Sequence, residues 1–250
     1  MALSLDPTLA AAQVLQSRHP LAEIISSPQV PDIPFDGTRL TGEAFDEYGP
    51  SVIAHSTGRL ILAYIADTDT RSQIKFVYTD TDRTAFSTVT LDLYSLVSSQ
   101  IEAVSICEMT GGNIGMVLLV HHKSGHVYRL ARRVYTPVGV AVGNSEIANW
   151  DEDLYTGDPW VITKGANDYY AIFTRYVEGD AHYHFFKTAS SDFAAWATPS
   201  EVAVGGLDAS LKLGNPSMLK VASGDIWLWF DVVESVGPNG EELSNVYYSI

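Results

Sequence analysis

Similar openings recur at a spacing of roughly 55 residues along this chain. Tyr48-Gly49-Pro50-Ser51, Gly157-Asp158-Pro159 and Gly214-Asn215-Pro216-Ser217 each set a turn residue before a proline. The second and third prolines are 57 residues apart, and the first and second are 109 apart, about two periods. A middle copy is therefore expected near position 103, where Glu102-Ala103-Val104-Ser105-Ile106 stands without the proline. Each opening leads through a turn into a strongly apolar run, at 60–65, 114–120, 169–177 and 226–233. A further run with aromatics follows each time, at 74–78, 126–131, 183–186 and 246–248. A long self-similar period means one supersecondary unit repeated, each unit burying its faces against its neighbours.

One unit can be read in detail. Residues 157–204 hold four β-type runs, at 160–163, 169–177, 181–188 and 198–204. Aromatic and β-branched residues fill the runs, and Gly, Asn and Asp fill the gaps. Such a meander is the size of one propeller blade. The spacing predicts an all-β chain: a β-propeller with four blades visible in residues 46–250, preceded by an N-terminal helix and an extended arm. The apolar runs are its central strands, buried on both faces, and the prolines start its innermost strands, where a missing N–H is tolerated. The competing arrangement is an antiparallel sandwich with look-alike hairpins.

The third unit ends Ser190-Ser191-Asp192-Phe193-Ala194-Ala195-Trp196. This resembles the Asp-box of sialidase-like propellers, a Ser-x-Asp turn followed closely by Trp. The usual Gly is absent and the Trp sits one position early. The resemblance implies that Ser190 and Asp192 hold the turn between a blade's third and fourth strands, with Trp196 packed between blades. Thr79-Asp80-Thr81-Asp82 with Phe86 is a looser echo. The blade ends are also similar to those of arabinanase-type five-bladed glycosidases. The resemblance covers the chain from about Phe45 onward and concerns the fold, because such turns lie away from a substrate mouth.

Of 250 residues, 46% are hydrophobic and 18% charged, which suits a sizeable folded core. A net charge of −15 argues against nucleic acid or anionic membrane as partners. The longest apolar runs are too short to insert through a bilayer. Cys107 is the single cysteine, so no internal disulfide forms, and its setting reads as a buried strand position. The N-terminus lacks a basic region and a long apolar stretch, so no signal peptide is expected.

Residues 1–45 differ in character. Asp6-Pro7 is a helix start, with Asp as cap and Pro7 at the first helical position. Alanines carry the helix to about Ser17, and Pro20 ends it. Pro28, Pro31 and Pro34 then stiffen an arm whose Val30, Ile33 and Phe35 need apolar surface. They pack on the propeller edge or anchor the chain to another subunit. Gln13, Ser17, Arg18, Pro20 and Leu21 give this arm a short similarity to some phage virion proteins. At the other end, Tyr247-Tyr248-Ser249-Ile250 aligns with the third strand of a unit. The expectation is that chain continues past Ile250, with five or more blades in all, or that residues 33–40 complete the blade.

Candidate chemistry is sparse. Glycosidases on such a fold need carboxylates converging at the central mouth, one of them an acid with a raised pKa. Asp158 before Pro159 and Glu47 before Gly49-Pro50 are the well-placed acids, and both match the blade-start acids of the arabinanase-type enzymes. Asp158 is also ordinary turn chemistry. The three arginines a sialidase needs cannot be assembled. His182 and His184 share a strand face, but no third metal ligand has fitting spacing. Asp67-Thr68-Asp69 and Asp151-Glu152-Asp153 are fragments, not complete calcium loops. No metal set and no cofactor motif is found. The expectation is a structural or adhesive phage-tail component, assembled in the cytoplasm into a virion or extracellular particle. Its partners would be other particle subunits, in a homo-oligomer, and a cell-surface glycan. The alternatives are a glycoside hydrolase acting on surface polysaccharide and a sugar-binding lectin propeller.

Overall fold

The four apolar runs become the second strands of four antiparallel sheets. A computed structural model describes residues 46–125, 127–146, 156–177, 182–203, 212–221, 223–236 and 242–249. The first sheet contains β1 (Asp46–Ala54), β2 (Leu60–Asp67), β3 (Arg71–Thr79) and β4 (Phe86–Ser95) in that order. The second contains β5 (Ser99–Glu108), β6 (Ile114–His122), β7 (Val127–Tyr135) and β8 (Ala141–Glu146). The third contains β9 (Thr156–Gly165), β10 (Asp168–Val177), β11 (His182–Ser190) and the short β12 (Ser200–Glu201). The fourth contains β13 (Lys212–Lys220), β14 (Ile226–Val236) and β15 (Glu242–Ser249) among the described residues. These are blades of a β-propeller, and no helix occurs among the described residues. The helix and arm expected in residues 1–45, including Pro7, Val30, Ile33 and Phe35, lie outside them.

Alternation explains why β6 reads as a continuous apolar run. Met116, Leu118 and Val120 face the core shared with the first blade, while Val117 and Leu119 face the core shared with the third. A strand sandwiched between two blades has no solvent face, so every position selects an apolar residue. In β10, Ala171 and Phe173 look toward the second blade and Ile172 toward the fourth.

Each first strand carries a β-bulge at the expected opening. The register shifts around Gly49-Pro50 in β1, at Glu102 in β5, around Asp158-Pro159 in β9 and around Asn215-Pro216 in β13. Gly49, Asp158 and Asn215 hold positive φ angles of 61°, 42° and 46°. Gly, Asp and Asn are the residues that accept this conformation most readily, which is why these three precede the prolines. Beyond the bulges the first strands are joined one to the next. The Ile106 N–H donates to Ser51 Oγ at 3.1 Å, the Val161 N–H to Ser105 Oγ at 2.9 Å, and Trp160 Nε1 to the Met218 carbonyl at 3.0 Å. The linking side chains, Ser51, Ser105 and Trp160, stand one period apart; the two serines accept from the following blade, and the tryptophan donates to it.

The turns after the third strands repeat as well. Asp80, Thr136 and Asp192 occupy equivalent places 56 residues apart. Asp192 Oδ1 accepts from the N–H groups of Ala194 at 2.7 Å and Ala195 at 2.9 Å, which holds its carboxyl below the usual range. Ser190 Oγ donates to the Ala195 carbonyl at 2.6 Å. Asp80 holds Thr84 in the same way, and Thr136 Oγ1 accepts from Val140 N. Within the 190–197 turn, Phe193 is the fully buried wedge. A Cβ on Gly115 of the second blade would lie 2.6 Å from the Phe193 ring, so only glycine admits it. Trp196 is half-buried, edge-on to Phe193 at 5.3 Å, and packs on the same cluster.

Replacing Phe193 by Ala should lower stability by about 3–5 kcal/mol, because a buried ring is lost and Gly115 leaves nothing to fill the gap. Urea unfolding checks this; a loss of well under 1 kcal/mol would show that the wedge does not hold the blades. Ser105→Ala should cost about 1–3 kcal/mol, since the Val161 N–H loses its partner in a buried setting. An unchanged unfolding midpoint would count against the strand-to-strand bonds as a stabilising element.

Candidate functional site

The first strands run in the same direction, so their N-terminal ends gather at one end of the unit. This end collects the bulges, and the bulges re-aim the side chains beside them. Asp158 sits in the β9 bulge, half-buried. Burial pushes its carboxyl above the usual aspartate range; the Asn215 N–H, 3.4 Å from Oδ2, draws it down, and the charge of Asp231 pushes it up again. Asn215 Nδ2 donates to Asp231 Oδ2 at 2.7 Å, so one asparagine side chain and its own amide link two carboxylates across the third and fourth blades. At the period before Asp158, the β5 bulge presents Glu102. Its Oε1 lies 3.6 Å from His121 Nδ1. Glu47 stands on β1 opposite Ala66, at the same end; its side chain is outside the described residues.

Around these acids the first two blades are tied by one carboxylate. Asp67 closes β2 and accepts from Tyr48 Oη at 2.9 Å, Ser72 Oγ at 2.7 Å and Gln100 Nε2 at 2.9 Å. Ser72 Oγ in turn accepts the Ile101 N–H at 2.8 Å. Burial, before all else, drives the Tyr48 phenol upward, so it stays protonated and donates. Asp67 is thus a strut between blades, not part of a calcium loop.

The opposite end holds a cleft of about 540 Å³ between the first two blades, lined by His55, Thr57, Glu108, Gly112 and Asn113 among others. His55 Nε2 faces the Gly112 carbonyl at 2.8 Å; a carbonyl only accepts, so that nitrogen carries hydrogen. Nδ1 then accepts from Thr57 Oγ1 at 2.8 Å. Glu108 accepts from Ser56 N and Ser56 Oγ. His55 and Glu108 both bond across to the neighbouring blade, so this cleft reads as a seam.

Asp158 was legible as a blade-start acid. Glu102 was missed because its opening lacks the proline, although it lies one period before Asp158. Asp231 was missed because it belongs to a second strand, opposite Gly214. Of the two candidate metal histidines, His184 has Nδ1 2.6 Å from Glu201 Oε1, and the His182 side chain is outside the described residues. His121 and His122 diverge, the first toward Glu102 and the second toward Ser99 Oγ at 2.8 Å. Ser190, Asp192 and Trp196 lie in a turn after a third strand, away from the acids. Cys107 is buried, and burial pushes its thiol up to about 12, so it is no nucleophile.

No family model matches the chain, and no curated protein matches it. Solved structures do share its fold. An endo-arabinase from Bacteroides thetaiotaomicron superposes with a TM-score of 0.61 at 11% identity, over 84% of this chain and 78% of that one. A GH93 α-L-arabinofuranosidase of Fusarium graminearum, solved with arabinobiose, gives 0.63 at 11% identity, over 83% of this chain and 64% of that one. A protein of unknown function from Dyadobacter fermentans gives 0.61 at 14% identity, over 84% and 67%. The chain spans roughly two thirds to three quarters of the length of these structures. The arabinanase-like propeller expectation stands on these likenesses. The virion-component expectation is overturned: the structures of this fold include an endo-arabinase and an α-L-arabinofuranosidase. The short motif that suggested a tail protein lies in residues 1–45, outside the described part.

Proposed function

We propose that the chain is a glycoside-cleaving propeller whose reaction centre lies at the bulged ends of the first strands. The observation that carries this is Asp158: an acid on an innermost strand, with its carboxyl raised by burial and by Asp231. A carboxyl raised above the usual range keeps its proton to higher pH and can deliver it to the leaving oxygen of a glycosidic bond, the general-acid half of the reaction. The complementary half needs an ionised carboxylate. Glu102 fits it by position, in the bulge of the neighbouring first strand one period before Asp158. Glu47, on the adjacent innermost strand, is the third acid of the set. The fold likeness to arabinan-cleaving enzymes supports the reaction class. The resemblance of the 190–196 turn to an Asp-box is supported by its Ser190 and Asp192 hydrogen bonds, and its role is to hold the blade.

Release of reducing ends from arabinan and from mannan tests the reading. Asp158→Asn should lower turnover by about two to four orders of magnitude. Turnover by the wild type that Asp158→Asn leaves intact would sink the assignment.

A second test needs no substrate. Asp158 has a raised folded value, so the stability it contributes is present below its ordinary pKa of about 3.9 and lost as pH rises through the folded value. Asp158→Asn should therefore gain stability relative to the wild type across that window, read by urea unfolding at a series of pH values. A gap that narrows instead would mean the carboxyl is held ionised and cannot be the acid.

A further inference from the structure

The same register position is occupied by an aromatic pair in two successive blades. His121 on β6 is the cross-strand partner of Tyr128 on β7, and one period of 55 residues later Tyr176 on β10 is the partner of Tyr183 on β11. The first pair is stacked, with centroids 4.5 Å apart and planes 5° from parallel; the second is edge-to-face at 5.5 Å. The corresponding pairs are Ala66 with Gln73 in the first blade and Val233 with Ser244 in the fourth. Blade packing alone does not ask for aromatics here, because the other two blades do without them.

Alternation fixes where the pairs point. His121 shares a face with Val117 and Leu119, so its pair crowns the seam between the second and third blades. Tyr183 shares a face with Phe185, so its pair crowns the seam between the third and fourth. Between the two seams runs β9, with Asp158 in its bulge. The Tyr176 end of β10 is the end beside Asp158, since Thr174 pairs with Gly157 and Arg175 with Thr156. All four rings are partly buried, with residual exposure. At the same end stand the carboxylates of Asp67, Glu102, Asp158 and Asp231 and, among the cations, Arg129 beside Tyr128 and Arg175 beside Tyr176, while Lys164 and Lys220 meet at the far end, where Lys220 Nζ donates to the Lys164 carbonyl.

We propose that the His121–Tyr128 and Tyr176–Tyr183 pairs are two sugar-binding platforms, one on each side of Asp158, for an uncharged oligosaccharide. The assignment rests on the glycosidase reading above and adds to it where the chain lies and what charge it carries. Aromatic rings offer an apolar face and a polar edge, which suits the apolar face of a sugar ring and its hydroxyls. Two platforms flanking one acid hold at least a disaccharide across the scissile bond. The four carboxylates outnumber Arg129 and Arg175 at this end, so a uronate or sialate chain is disfavoured.

Binding is measured by calorimetry on the Asp158→Asn protein with arabinobiose, mannobiose and a galacturonate disaccharide. The neutral sugars should bind, and Tyr128→Ala and Tyr183→Ala should each weaken binding by about tenfold, the usual scale for truncating a buried aromatic contact. Tyr128→Phe and Tyr183→Phe should retain binding, which separates lost stacking from lost folding. Gln73→Ala, at the equivalent position of the first blade, should leave it unchanged. Neutral-sugar binding that both Ala variants weaken, without turnover by the wild type, supports the platforms and defeats the hydrolase reading. Turnover by the wild type with unchanged KM in both Ala variants defeats the platforms and leaves the hydrolase reading. Tighter binding of the galacturonate disaccharide, or no binding of any of the three, also overturns the proposal.

Discussion

The bonds between successive first strands set the geometry on which the rest depends. A buried N–H or C=O without a partner is costly, and a first strand has its own sheet on one side only. Ser51, Ser105 and Trp160 supply the missing partner from the blade before, each one period on from the last. Because each contact joins equivalent positions, neighbouring blades are held in one register. The bulges then fall at one end of all four first strands, and so do the side chains beside them.

Packing outside the first strands follows from that register. With blades held side by side, second strands are covered on both faces, and their apolar runs find cores on both sides. The 190–197 turn adds a wedge, Phe193, that enters the space left by Gly115. Asp192 fixes the turn by taking two backbone N–H groups, a capping arrangement that lets a short loop hold Phe193 at a positive φ of 60°. At the two ends of the unit polar residues do different work. His55 and Glu108 are consumed in joining blades at one end, whereas the carboxylates of Asp158 and Glu102 stand in the bulges at the other.

The acid at Asp158 also carries a conformational cost. A non-glycine residue at positive φ is strained by about 1–3 kcal/mol, less for Asp and Asn. Gly49 accepts the same conformation without strain, and Asn215 accepts it without charge. Among these three equivalent places, only Asp158 combines the bulge conformation with an ionisable, partly desolvated group. That combination distinguishes a candidate reaction centre from a repeated structural feature.

Much of the architecture was legible in the residues. The spacing of Pro50, Pro159 and Pro216 and the four apolar runs specified units and strands, because turn chemistry and burial on both faces are local demands; that the prolines sit in bulges inside the first strands, not at their starts, came from the pairing register. Asp158 was legible for the same reason, as a turn residue before a proline. The wedge was not: Phe193 and Trp196 are equally apolar in sequence, and only the position of Gly115, 78 residues earlier, decides which ring is enclosed. Nor could Asp231, Glu102 and the two aromatic pairs be assembled from the chain. They come from first, second and third strands of three blades, and pairing register with blade-to-blade packing, not sequence distance, brings them to one end.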